Sequence, residues 1–170
     1  MAWTMRIERA KPNPLGKDKT GAGYPKLNQL LGEWVDLKNI GDQSVDLSQL
    51  HLAHLEFSAG CKPKERPVIY WNGKAGTILG PGQVARIHTG RSSDSHQMDL
   101  VDQFGADIHS YAESGSFVLN NDCGDVMSVW WKDREGNLHR DDAAGYDPNP
   151  PEGAILTRVG PKLKPVLSYA

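Results

Sequence analysis

The sequence predicts an all-β protein, an antiparallel β-sandwich with long loops and at most one short helix. Short segments in which apolar and polar residues alternate occur along the chain, and a period of two is typical of strands with one buried face. Turn-forming residues separate these segments. Of the 170 residues, 18 are glycine and 11 are proline. Short strands divided by turns at regular intervals indicate an antiparallel sandwich.

Five segments carry the clearest strand pattern. In residues 33–39, Val35 and Leu37 are expected to face the core. Asp36 and Lys38 alternate with them and are expected to face outward. The other four strands are predicted at residues 3–7, 83–89, 125–131 and 154–159.

The connections between these strands are also predicted by turn residues. Asn72-Gly73 follows the apolar residues 68–71 and predicts a two-residue hairpin, because both positions of such a turn need positive φ. A turn is predicted at residues 79–83. A second hairpin is predicted at residues 132–138.

Two segments depart from the simple strand pattern. Leucines spaced three and four apart in residues 25–31 predict one or two turns of helix, which Gly32 ends. In residues 50–57 the apolar phase shifts between Leu52 and Ala53. A β-bulge or a break between two strands would explain this shift.

The composition is that of an ordinary globular chain, and we expect a single domain over residues 1–170. Hydrophobic residues make up 38%, charged residues 24%, and the net charge of −2 does not draw the chain to nucleic acid or an anionic membrane. No apolar run approaches the roughly 20 residues of a membrane span, and no secretory signal is visible. We therefore expect a cytoplasmic protein. Cys61 and Cys123 could form one bridge, but two reduced thiols are expected in that compartment.

The run NNDCGD at residues 120–125 lies between apolar blocks and raises the question of a metal or catalytic loop. A calcium loop needs a later glycine and a downstream glutamate, neither of which is in place. Asparagine and aspartate tolerate left-handed backbone geometry, so we interpret the run as a bend between strands. The alternative is a small metal-dependent hydrolase that uses Asp122, Asp125 and one histidine.

No motif for catalysis or cofactor binding is recognisable. The chain has no G-x-S-x-G, H-E-x-x-H, P-loop or G-x-G-x-x-G sequence. His51 and His54 are three apart, a spacing that brings two imidazoles together on a helix but sends them to opposite faces of a strand. We therefore expect no catalytic residues, no metal ligands and no cofactor.

Three tryptophans are candidates for a binding surface. Trp130 and Trp131 are adjacent in a predicted strand, so their rings are expected on opposite sides and one of them in the core. The other, or Trp71 beside its predicted hairpin, could be exposed as a binding anchor or a sugar platform. Packing under a loop or at a sheet edge is the preferred interpretation.

Several of these segments together resemble one family. Residues 33–47, which contain EWVDLKNIGD and VDL, are similar to the opening of the lamin tail domain. Residues 79–90, with LGPGQV and IHTG, are similar to a later part of it. Residues 119–126 resemble the family's Asn-Asn-x-Gly-Asp turn before an apolar strand, and residues 133–137 resemble its next hairpin.

The resemblance covers about residues 7–145, and residues 146–170 are expected to form additional strands or a tail. The family's tryptophan is replaced by the sequence QLH at 49–51, and the loops at 58–66 and 91–107 are longer than in the family. The resemblance implies an immunoglobulin-like β-sandwich without a catalytic site. Since no coiled-coil heptads are present, the chain is similar to free-standing, bacterial-type members and not to filament-forming lamins.

Together these observations predict a non-enzymatic interaction module that presents loops and a sheet edge to a partner. A protein partner is expected, and nucleic acid is the second option through the basic residues Arg158, Lys162 and Lys164, joined by lysines between 11 and 26. The alternatives from other classes are a carbohydrate-binding module that uses an exposed tryptophan and the hydrolase described above.

Overall fold

The computed structural model describes residues 3–16 and 18–166, which leaves Lys17, one of the lysines considered for nucleic acid, outside the described residues. No helix among the described residues is both long and apolar enough to cross a membrane. Two α-helices, α1 (Leu27–Gly32) and α2 (Leu100–Gln103), and two 3-10 helices, Leu47–Gln49 and Ser92–Gln97, accompany the strands. The strands are β1 (Met5–Lys11), β2 (Trp34–Asn39), β3 (Val45–Asp46), β4 (Leu50–His54), β5 (Phe57–Ser58), β6 (Lys62–Pro63), β7 (Val68–Asn72), β8 (Ile78–Leu79), β9 (Val84–His88), β10 (Ile108–Tyr111), β11 (Asp125–Lys132), β12 (Leu138–Tyr146), β13 (Leu156–Val159) and β14 (Lys162–Pro165).

Ten of these strands form one sheet, in the order β10-β9-β2-β1-β13-β14-β12-β11-β4-β7. The sheet curls so far that its two edge strands meet: Nε1 of Trp71 in β7 donates a hydrogen bond of 3.0 Å to Oγ of Ser110 in β10. The remaining short strands pair as β3 with β8 and β5 with β6. The protein is therefore mostly β, as predicted, with a nearly barrel-shaped sheet, while the immunoglobulin-like sandwich stays a prediction.

Two neighbouring pairs in the large sheet are parallel, β9 with β10 and β12 with β14. The expectation of a purely antiparallel arrangement is wrong for these pairs. Parallel neighbours cannot be joined by a tight hairpin, because the chain must first return to the same end of the sheet. Between β9 and β10 this return is made by residues 91–107, which we call the crossover segment and which contain the 3-10 helix Ser92–Gln97 and α2.

The hydrophobic core lies inside the curled sheet, with β1 near its centre. β1 pairs with β2 and β13, and it also contacts β11 and β12. β13 and β14 lie between β1 and β12 in the sheet, so the chain after residue 145 supplies additional strands, the first of the two predicted options. The core includes Met5, Ile7, Val35, Leu37, Leu52, Trp71, Ile87, Met127, Val129 and Leu163.

Val35 and Leu37 face the core as predicted, but the expectation that Asp36 faces solvent is wrong. Asp36 is 0% exposed, because the crossover segment covers its side of β2. Two guanidinium groups lie against its carboxylate, that of Arg86 at 2.8 Å and that of Arg9 at 3.0 Å. Strand alternation shows which side chains share a face, and it does not show what covers that face.

Three local predictions are confirmed. The pairing of β4 with β7 shifts register between Leu52 and Ala53, where the apolar phase changes in the sequence. Helix α1 ends at Gly32. β11 and β12 form the predicted hairpin, in which the backbone N–H of Asn137 donates to Oδ1 of Asp133 at 2.8 Å.

Two other local predictions are wrong. The chain has more than one short helix, since the crossover segment contains helical turns of its own. Asn72-Gly73 does not form a two-residue hairpin, because Asn72 is the last residue of β7 and β7 pairs with β4. Gly73 is required for another reason: a Cβ at this position would lie 1.7 Å from the carbonyl oxygen of Leu47.

Replacing Gly73 by alanine is expected to lower the free energy of unfolding by about 3 kcal/mol or more, because the new methyl group must displace the backbone at Leu47. Gly21→Ala is the matched control, since no atom lies within 4 Å of a Cβ there. Its expected effect is within about 0.5 kcal/mol. Urea unfolding of both variants and the parent measures these changes, and equal stabilities would contradict the close approach.

Candidate functional site

The crossover segment exposes a cluster of large apolar side chains. Leu100, Val101 and Phe104 are 68%, 55% and 70% exposed, and we call these three residues the apolar tip. No other five-residue stretch of the described chain exposes three large apolar side chains. Single exposed apolar residues are normal on protein surfaces, whereas a contiguous cluster is typical of an interaction site.

Asp102 lies between the tip residues in the chain and is nevertheless fully buried. Its Oδ1 accepts hydrogen bonds from Nζ of Lys11 at 2.6 Å and from Nε1 of Trp34 at 2.9 Å. Nη1 of Arg86 donates to the backbone carbonyls of Asp102 and Phe104, at 3.1 and 2.6 Å. The segment that carries the tip is therefore attached to β1, β2 and β9 by buried side chains.

A bidentate ion pair supports this attachment. Nε and Nη2 of Arg86 donate to the two carboxylate oxygens of Asp36 at 2.8 and 3.0 Å, and the guanidinium lies 3.7 Å from the ring centroid of Trp34. Arg9 donates to Asp36 at 3.0 Å and to the carbonyl of Gly105 at 2.9 Å. Bidentate pairs of this kind restrict geometry strongly. A partner that binds the tip would therefore order little additional chain, which favours affinity.

Residues 120–125 form a bend that leads into β11, which confirms the interpretation of this run. The physical reason differs in part, because the positive φ, +73°, belongs to Gly124 and to neither asparagine. A Cβ on Gly124 would lie 2.3 Å from the carbonyl oxygen of Tyr146. Asn120 closes the bend through its side chain, since its Oδ1 accepts a hydrogen bond of 2.9 Å from the backbone N–H of Cys123.

The structure brings together two of the three side chains that the hydrolase alternative needs. Nδ1 of His54 lies 2.9 Å from Oδ2 of Asp125, whereas Asp122 is exposed. Among the described residues, no three His, Cys, Asp or Glu side chains are grouped as a metal site requires. The Asp125 carboxylate is buried and joins β4 to the start of β11, because it also accepts from the backbone N–H groups of Leu55, Asn120 and Val126.

His88, which is buried, and His109, which is half-buried, form a pair that the sequence did not indicate. Nε2 of His88 lies 2.7 Å from Nδ1 of His109, and Nδ1 of His88 donates to the carbonyl of Leu31 at 2.6 Å. Burial lowers the pKa of His88 to about 3 and also lowers the pKa of His109. The two residues are 21 positions apart and meet only through the parallel pairing of β9 with β10.

The tryptophans do not provide the exposed platform considered from the sequence. Trp71 is 1% exposed and belongs to the core. Trp130 is half-buried, and its Nε1 donates to a neighbouring serine hydroxyl at 2.7 Å. Trp131 is also half-buried, with its ring edge-on to Trp3 at 6.1 Å and stacked on His139 at 4.4 Å between centroids.

Cys61 and Cys123 are joined by a disulfide bond, so the expectation of two reduced thiols is wrong. The bridge ties the turn between β5 and β6 to the bend before β11. Disulfides persist in oxidising compartments, whereas the cytosol keeps thiols reduced. A count of two cysteines in a sequence does not decide between these states, because pairing depends on the distance between the side chains in the fold.

The basic C-terminal residues are largely paired with acids. Arg158 lies 2.7 Å from Asp142, and Lys162 lies 2.7 Å from Asp147. Lys164 is exposed. The positive patch considered for nucleic acid is weaker than the sequence implies, because two of its three C-terminal cations have carboxylate partners.

No family model matches this chain, and a search of curated protein sequences finds no match. The resemblance to the lamin tail domain therefore stays a prediction that the sequence motifs carry.

Removing the disulfide with Cys61→Ser and Cys123→Ser is expected to lower the free energy of unfolding by about 4 kcal/mol, because the two cysteines are 62 positions apart and the bridge restricts a long loop in the unfolded chain. Urea unfolding with and without reductant measures the change. Thiol titration of the unfolded parent protein is the control. Two reactive thiols in protein prepared without reductant would contradict the bridge.

Replacing His88 by asparagine is expected to reduce the amount by which the free energy of unfolding falls at acid pH. The folded pKa of His88 is about 3, below its ordinary 6.5, so the unfolded chain binds the proton more readily. The contribution of neutral His88 to the free energy of unfolding is therefore fully present above about pH 6.5. It falls as the pH drops toward 3, and at pH 4.5 it is lower by about 3 kcal/mol.

The measurement is urea unfolding of the His88→Asn protein between pH 4.5 and 7.5. Asparagine keeps an N–H donor for the carbonyl of Leu31, and His96→Asn is the matched control because His96 is exposed. Identical pH dependences for the two variants would show that His88 is not the titrating group.

Proposed function

We propose that the protein is a non-catalytic interaction module that binds a protein partner through the apolar tip. The observation that carries this proposal is the contrast between the exposed Leu100, Val101 and Phe104 and the fully buried Asp102 among them. Burying one large apolar side chain contributes roughly 1.5–3 kcal/mol. Three such side chains on an anchored segment therefore offer a partner substantial binding energy.

The chemistry of the tip indicates what the partner surface must offer. An aromatic and two aliphatic side chains fit an apolar groove, and anchors of this kind dominate the energetics of many interfaces. Asp99 precedes the tip in the chain, Gln103 lies between Val101 and Phe104, and both are exposed polar residues. An apolar centre with a polar rim is the usual arrangement of a protein–protein interface.

The proposal includes an immunoglobulin-like, lamin tail-like architecture of the free-standing, bacterial type. Its support is the order of the motifs in residues 33–47, 79–90 and 119–126, together with the mostly-β fold. The tip belongs to the crossover segment between two strands of such a module, and β7 and β10 are the edge strands of its sheet. The expected cytoplasmic location competes with the disulfide bond, which favours an oxidising compartment.

The alternatives from other classes have less support. A carbohydrate-binding module would need an exposed aromatic platform, and Trp71 is buried while Trp130 is half-buried. A hydrolase would need Asp122 beside the pair of His54 and Asp125, where the carboxylate of Asp125 already accepts four hydrogen bonds.

The test is capture of partners from a native lysate by the parent protein and by the double variant Leu100→Ser, Phe104→Ser. The parent is expected to retain a protein partner at both low and high salt, since apolar contacts are not screened by ions. The double variant is expected to bind that partner at least about tenfold more weakly, a loss of about 1.4 kcal/mol or more. Both replaced side chains are exposed, so the thermal unfolding midpoint should be unchanged.

The matched control is the double variant Leu15→Ser, Val159→Ser, which removes two other exposed apolar side chains, 70% and 57% exposed. It should retain the partner. Equal capture by the two double variants would overturn the role of the tip. If nucleic acid alone is recovered, and only at low salt, the binding surface is the basic C-terminal residues and not the tip.

A further inference from the structure

A cavity of about 420 Å³ lies beside the bend at residues 119–122. Its lining is acidic, with Asp18, Glu33 and Asp122 among the contributing residues. No lysine, arginine or histidine occurs among the described residues that line it. The apolar tip contributes nothing to this cavity, so a ligand here would be independent of the proposed protein-binding surface.

Hydrogen bonds from the described residues reach only one of the two carboxylate oxygens of Glu33. The residue is 1% exposed, and all three hydrogen bonds that it accepts from the described residues end on Oε1. Oε2 accepts no hydrogen bond from the described residues, and Glu33 lines the cavity. Oε2 is therefore available to a donor that enters the cavity. The donors to Oε1 are Oγ1 of Thr89 at 2.7 Å and the backbone N–H groups of Val118 at 2.9 Å and Leu119 at 3.1 Å.

A second acceptor in the same lining also lacks a partner. Oδ1 of Asn121 is buried and receives no hydrogen bond within the part of the chain that the structure describes. The residue is held in place through its backbone, because its carbonyl accepts a hydrogen bond of 2.7 Å from the N–H of Asn149. Two acceptors without donors, in an acidic cavity, indicate a ligand that carries positive charge and only donors.

We propose that this cavity binds a primary alkylammonium group, from either a free amine or a lysine side chain of another molecule. An ammonium has three N–H donors and no acceptor. Oε2 of Glu33 and Oδ1 of Asn121 accept two of its hydrogen bonds, and the carboxylate of Asp18 or Asp122 is placed in the lining to accept the third.

The rest of the lining suits the alkyl part of such a ligand. Pro12, Pro14 and Phe117 contribute apolar surface to the cavity, and a hydrocarbon stem can pack on such surface while its charged end is hydrogen-bonded. A bare metal ion fits less well. The described residues contain no group of three potential ligands, and the cavity is much larger than an ion.

Binding should strengthen as the pH rises, because the ammonium pairs with ionised Glu33. Burial raises the pKa of Glu33 to about 7, the hydrogen bonds from Thr89, Val118 and Leu119 lower it, and the nearby charge of Asp125 raises it. An alkylammonium stays protonated up to a pH of about 10. The affinity is therefore expected to rise about tenfold between pH 6 and pH 8, as the ionised fraction of Glu33 rises.

The experiment is an NMR titration of the isotopically labelled full chain with n-butylammonium and, separately, with Nα-acetyl-lysine N-methylamide. Either probe should shift the backbone amide signals of residues 117–122. A response to n-butylammonium alone identifies a small-amine site, and stronger binding of the lysine derivative identifies a site for a lysine side chain. The Nε-acetylated lysine derivative, which has no charge, should bind at least tenfold more weakly.

Glu33→Gln is the main variant, because its amide oxygen can still accept at Oε1 while an N–H donor replaces Oε2. It should weaken binding at least tenfold and remove the pH dependence. Asn121→Ala, which leaves the backbone contact to Asn149 in place, should weaken binding even if the first variant fails to fold. Glu56→Gln, at an exposed ion pair with Lys64, is the control and should bind as the parent does.

Three outcomes would overturn the proposal. The first is an absence of shifts with either ammonium probe, and the second is equal affinity of the Glu33→Gln and Glu56→Gln proteins. The third is saturation of the same signals by calcium ions at lower concentration than by the amines, which would make the cavity a metal site. None of these results changes capture through the apolar tip, so the two proposals can fail separately.

Discussion

The buried ion pairs on one face of β2 and β9 are the constraint on which the rest of this structure depends. Arg86 holds Asp36 in a bidentate pair and also bonds the carbonyls of Asp102 and Phe104, and Lys11 pairs with the Asp102 carboxylate. Removing one partner from a buried pair leaves an uncompensated charge, at a cost of about 3–5 kcal/mol. The network therefore restricts the crossover segment to one position on the sheet, and it does so with polar groups in place of apolar packing.

The start of β2 supports both proposed sites. Its side chains alternate between two sides of the strand. Trp34 and Asp36 face the crossover segment and support the apolar tip, while Val35 and Leu37 belong to the core. Glu33, one residue before the strand, lines the cavity and joins it to the segment that leads into the bend. Residues at the start of one short strand thus hold the crossover segment below the apolar tip and also line the cavity, although the two sites use different chemistry.

Local features of the fold could be predicted because their causes lie within a few residues. The change of phase between Leu52 and Ala53 coincides with a shift of register, at which Tyr70 of β7 is left without a partner in β4, and the residues after Lys132 form the hairpin that turn chemistry requires. The candidate site was less accessible from the sequence. Leu100 and Val101 begin the short helix α2, Phe104 follows it, and only the burial of Asp102 makes their exposure significant. The pairing of His88 with His109 likewise gives no local signal in the sequence.

The sequence by itself determined the mostly-β class, the position of α1, the bulge, the bend and the hairpin, because alternation and backbone preferences act between near neighbours. Tertiary structure alone decided the parallel pairing of β9 with β10, the burial of Asp36, the bridge between Cys61 and Cys123, and the hydrogen bonds to Oε1 of Glu33. Each of these depends on which distant segment packs against a residue. The identity of a polar residue does not tell whether its side chain is exposed to water or buried beside a counter-ion. Burial without a partner and burial with one differ by several kcal/mol in free energy.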